Sequence, residues 1–90
     1  MKSIIGTADE QPEIYATVRR ERDAIHRAVL KMAKQLRGLS DVSQKQAIAE
    51  FTASWIHAVY PASLELALSL SDAMREQTDI YLKEQTSLPH

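Results

Sequence analysis

Residues that interrupt a regular backbone fall at only five places in this chain: Gly6, Pro12, Gly38, Pro61 and Pro89. No other feature constrains the fold as much, because the stretches from Pro12 to Gly38, Gly38 to Pro61 and Pro61 to Pro89 are each the length of a helix. In the first of them the apolar positions Ile14, Val18, Ile25, Val29, Met32 and Leu36 are separated by 4, 7, 4, 3 and 4 residues, with Ala28 and Ala33 widening the stripe. That period is helical and shows no strand alternation. Glu21 and Arg22 stand where the stripe calls for a hydrophobe. They suit a rim, where an arginine stem covers apolar surface while its guanidinium stays in water.

Terminal signals set the boundaries. Thr7 or Asp9 offers an N-cap, Pro12 fits a first turn, and Glu10 and Glu13 lie where the positive end of the helix dipole favours acid. Lys34 and Arg37 occupy the last turn, and Gly38 is placed to take the left-handed conformation that closes a helix. Helix 1 is therefore predicted over about 13–37. Ser40 and Asp41 supply the next cap, with Gln44 completing a weaker form of the capping box, and helix 2 carries Ile48, Phe51, Trp55, Ile56 and Val59 over about 41–60. The ring of Pro61 pushes Tyr60 out of the α region, so a sharp corner between two helices is expected there, in preference to one long kinked helix.

The third stretch is ambiguous in period, since Leu64-Glu65-Leu66-Ala67-Leu68-Ser69-Leu70-Ser71 alternates as a half-buried strand would. Composition decides for a helix: Leu, Ala and Glu are good helix formers, the β-branched and aromatic residues of strands are missing, and a lone strand would find no partner. Helix 3 is predicted over about 62–84. Leu64 and Leu68 then share one face and Leu66 and Leu70 nearly the opposite one. Beyond Asp72 the helix turns amphipathic, with Met74, Ile80 and Tyr81 inward, and the two chain ends read as short flexible tails.

At 90 residues, residues 1–90 form one all-α domain, a three-helix bundle or a helical hairpin with a proline-cornered junction. Its 44% apolar and 26% charged content is that of an ordinary soluble protein, and the absence of cysteine excludes disulfides, thiolate catalysis and cysteine-bound metal. Near the N-terminus the apolar run is only Ile4-Ile5, and the most membrane-like stretch, Ala53 to Leu70, contains His57, Pro61 and Glu65. A cytoplasmic location is the expectation. A 25-residue helix is about 37 Å long, whereas a compact globule of this size is about 31 Å across, so helix 1 overhangs it. An overhanging amphipathic helix is expected of a subunit that completes its core as a homodimer.

Surplus apolar helix surface points to binding another protein, in the manner of a small adaptor, antagonist or regulatory subunit. The candidate partner or dimer face comprises Trp55, Val59, Tyr60, Leu64, Leu66, Leu68 and Leu70, aromatics being the residues that most often anchor interfaces. A second function class rests on charge. From Arg19 to Arg37 seven basic residues face two acidic ones, a balance of +5, and Arg19, Arg20, Arg27, Lys31 and Lys34 are candidate contacts to nucleic acid or another anion. Against it stand the overall charge of −1 and the lack of aromatics among the basic residues. From Ala62 to Gln85 two basic residues face five acidic ones, a balance of −3, so the plainer arrangement sets helix 1 beside helix 3, within or between subunits. A third class, a helical enzyme for an anionic substrate, is weak because Lys45 is the only base on helix 2. Asp23 and His26 have the i, i+3 spacing of half a metal site, but Glu50 and His57 do not complete it, so neither metal nor cofactor nor catalytic residue is assigned.

Overall fold

Residues 12–87 are described by the computed structural model of the chain, and among them every regular element is a helix. The order is α1 (Pro12–Arg20), α2 (Arg22–Leu36), α3 (Asp41–Val59) and α4 (Leu64–Ser87). The all-α expectation is met, with four helices where the sequence pattern predicts three. The extra boundary falls at Glu21, whose ψ of 13° lies well off the helical value. It is a local distortion. The Glu21 amide donates to the Thr17 carbonyl at 3.0 Å and the Ile25 amide donates to the Glu21 carbonyl at 2.9 Å, so Glu21 closes the last turn of α1 and opens the first turn of α2. Two features weaken the helix there: Arg19 and Arg22 are like charges one turn apart, and no side chain of α1 or α2 is buried to hold the turn from outside.

Between α2 and α3 the backbone turns at Gly38, which has φ of +89°, the left-handed conformation that a glycine adopts without strain. Arg37 ends the helix and its amide bonds to the Lys34 carbonyl. Ser40 is the N-cap of α3, its hydroxyl accepting from the Ser43 amide at 3.3 Å. Gln44 does not close the capping box; its Nε2 donates to the Leu39 carbonyl at 3.0 Å. The caps proposed for the start of helix 1, Thr7 and Asp9, lie outside the described residues.

Tyr60 to Ser63 form a corner and α3 and α4 are separate helices, as the proline predicts. Ser63 caps α4 by accepting the Leu66 amide at 3.2 Å, so the helix begins two residues later than expected, and it continues to Ser87. Across this corner α3 folds back on α4. The core lies between them and is small: among the described residues Ile56, Leu70 and Ala73 are the buried side chains. Ile80 and Tyr81, expected to point inward, are exposed, because the buried contacts stop near Ala73. With principal extents of 42 × 41 × 23 Å the molecule is a plate about two helices thick. Its radius of gyration, 14.8 Å, exceeds the ~12 Å of a compact 90-residue globule.

Candidate functional site

Large apolar side chains that would line a core in most small domains are here on the outside. On α3, Ile48, Phe51, Trp55 and Val59 recur every three or four residues and so form one stripe, between 44% and 60% exposed. The stripe lies about 100° around the helix from Ile56, which faces α4. Phe51 and Ile48 thus extend the candidate face beyond Trp55 and Val59. Their spacing carries that signal, but Trp55 and Ile56 are adjacent in sequence, and only the packing of α4 tells which of them is inside.

The remaining candidates divide. Leu64, Leu66 and Leu68 are exposed around the first turns of α4. Leu70 belongs to the core with Ile56 and so does not contribute to the outer surface. Tyr60 is at the corner, where Ile56, His57, Tyr60, Pro61, Leu64 and Leu68 line an open groove of about 430 Å³. Its walls are mainly apolar. Only His57, Tyr60 and Ser71 bring polar side chains to it, so it is suited to receiving an apolar side chain of another molecule.

A second constellation lies on α1 and α2. Arg20, Arg27, Lys31 and Lys34 follow one another at steps of 7, 4 and 3 and share one face, nearly opposite the apolar stripe. All four are exposed. Arg19 lies off this row and leans over the Tyr15 ring, its guanidinium carbon 5.9 Å from the ring centre. Four of the five acidic residues of α4, Glu65, Asp72, Glu76 and Asp79, also run at steps of 7, 4 and 3. These two rows are not packed together as the plainer reading of the charges expects within one chain; the helix against which α4 folds is α3.

Among the described residues no three His, Asp or Glu side chains converge as metal ligands, and Asp23 with His26 gains no third member. Nor is any described helix long and apolar enough to cross a membrane. The outline of the molecule is therefore a small hairpin core with two uncovered apolar stripes and one basic row. Neither a known protein family, nor a characterised protein, nor a solved structure matches the chain.

Proposed function

We propose that this chain is a protein-binding module, an adaptor, antagonist or regulatory subunit, that engages its partner through the outer face of the α3–α4 hairpin. One observation carries the reading: Phe51, Trp55 and Val59 on α3 and Leu64, Leu66 and Leu68 on α4 are all exposed, and Leu64 and Leu68 also line the groove at the corner. Isolated apolar residues on a surface are ordinary, but so many large ones on one small hairpin favour cover by another protein. Trp55 and Tyr60 offer large rigid contact areas at small entropic cost, and the groove gives a partner side chain a place to insert.

The test is retention of a stoichiometric protein by the immobilised chain from its native lysate, compared with the Leu66→Glu, Leu68→Glu double variant. Both leucines are exposed, so helicity by circular dichroism should be unchanged, while retention falls by about tenfold or more. Undiminished retention by the double variant overturns the reading.

The basic row supports a second reading, a regulator that contacts nucleic-acid phosphates through Arg20, Arg27, Lys31 and Lys34. Four exposed cations on one helix face would each release counterions on meeting a phosphate backbone. Binding to duplex DNA or RNA that falls steeply with salt, and drops in the Arg20→Ala, Arg27→Ala variant, is its expected signature. Binding indifferent to salt dismisses it.

A further inference from the structure

From Ile14 to Leu36 the apolar stripe of α1–α2 is about 33 Å long at 1.5 Å per residue, yet neither helix buries a single side chain. We infer that this stripe is covered by the same stripe of a second copy, running antiparallel about a two-fold axis at Ile25. This assignment concerns a different face from the α3–α4 hairpin and does not rest on that reading.

Three observations lead to it. The first is area. The chain exposes 7734 Å², whereas a compact protein of 10.1 kDa exposes about 5,300 Å². The excess, about 2,400 Å², is roughly three times the ~800 Å² per partner that a standard stable interface buries. A dimer therefore has ample surface to draw on.

The second is the symmetry of the stripe. Counting Glu21 as its interrupted position, the stripe runs 14, 18, 21, 25, 29, 32 and 36, with steps of 4, 3, 4, 4, 3 and 4. That series reads the same in both directions about Ile25. A two-fold interface requires each position to meet its counterpart, and an antiparallel pair centred on Ile25 meets the requirement throughout. Ile14 lies opposite the partner's Leu36, Val18 opposite the partner's Met32, and Ile25 opposite itself. Glu21 is bonded into both helices, its amide to the Thr17 carbonyl and its carbonyl to the Ile25 amide, so the two halves of the stripe meet at this one residue.

The third is charge, which also selects the direction. A parallel pair would set the two Glu21 carboxylates face to face. The antiparallel pair places Glu21 opposite the partner's Val29 and holds the two carboxylates about 12 Å apart along the axis. Arg20, Arg27, Lys31 and Lys34 lie nearly opposite the stripe, so two basic helices approach without bringing their cationic rows together. Opposed helix dipoles favour the same direction.

Sedimentation equilibrium of the full chain tests the assignment, the expected mass being twice 10.1 kDa. Ile25→Glu places two carboxylates against each other at the axis and should raise the dissociation constant by about a hundredfold or more. Glu21→Leu fills the interrupted position, and because it extends the apolar stripe it should lower the constant by about tenfold or more. As the chain has no cysteine, single cysteine variants report the geometry. Oxidised Ile25→Cys should form a covalent dimer and Leu36→Cys should not. A monomeric wild type overturns the inference, as does cross-linking by Leu36→Cys, which a parallel pair would give. A dimer that survives Ile25→Glu but is lost in the Leu66→Glu, Leu68→Glu variant also overturns it, since self-association would then belong to the hairpin face.

Discussion

Single residues set the boundaries of these helices, and each does so by a separable physical effect. Gly38 has φ of +89° with no atom near the position a Cβ would take. Gly38→Ala therefore meets no clash, and the whole cost is that of forcing a side-chain-bearing residue into left-handed backbone, about 1 kcal/mol by chemical denaturation. Ser40 and Ser63 each satisfy an otherwise unbonded amide at a helix start. Replacing either with alanine should destabilise the fold by about 1 kcal/mol. The changes should add in the double variant, because the two caps are at different helices and share no partner. Measured coupling between them would show that α3 and α4 do not form their starts independently. Ile56→Ala and Leu70→Ala should each cost more, about 2–5 kcal/mol, as they leave a cavity between α3 and α4 where both side chains are buried. Thermal unfolding ranks these variants directly, and equal effects for cap and core substitutions would contradict the burial pattern.

At the scale of the element, the parts of the fold that depend on neighbouring residues are readable in the sequence, and those that depend on distant ones are not. Gly38, Ser40 and the Tyr60–Pro61 step mark the helix ends through local backbone chemistry, and the structure has its boundaries there. Ser63 carries the same signal, a serine just before an apolar helical run, but it is overshadowed by the proline two residues earlier. The break at Glu21 is legible only as a gap in the stripe, because a ψ of 13° at one residue leaves no trace in periodicity. Which side of α4 faces inward is likewise hidden. Leu64, Leu66, Leu68 and Leu70 are the same residue type at even spacing, and the position of α3 alone makes Leu70 core and leaves the other three outside. The same holds for Trp55 against Ile56. Glu21→Leu bears on the element as well as on association. If the break arises from the charged rim and the missing apolar contact, this substitution should raise helicity in the far ultraviolet as well as self-affinity; a gain in affinity with unchanged helicity would trace the distortion to the arginines on either side.

For the whole molecule, the small core and the large exposed surface combine into one consequence. Among the described residues three side chains are buried, one of them an alanine, and they stabilise little against the entropy of ordering the chain, so under the pairing inferred for α1–α2 that interface would supply part of the free energy of folding. Stability would then depend on concentration. The midpoint of thermal unfolding should rise as protein is added, and a midpoint constant over a hundredfold dilution series would show that the hairpin holds by itself. The basic row makes a separate prediction: the same midpoint should rise with added polyphosphate if those cations are repelling one another, and the rise should vanish in Arg20→Ala, Arg27→Ala. A chain whose folded fraction tracks its own abundance is also a gauge of dosage. Below a threshold of synthesis the separate copies would be open to proteases and cleared, and above it they would persist, so the exposed stripe on α1–α2 would turn a gradual change in expression into a sharper change in the amount of working protein.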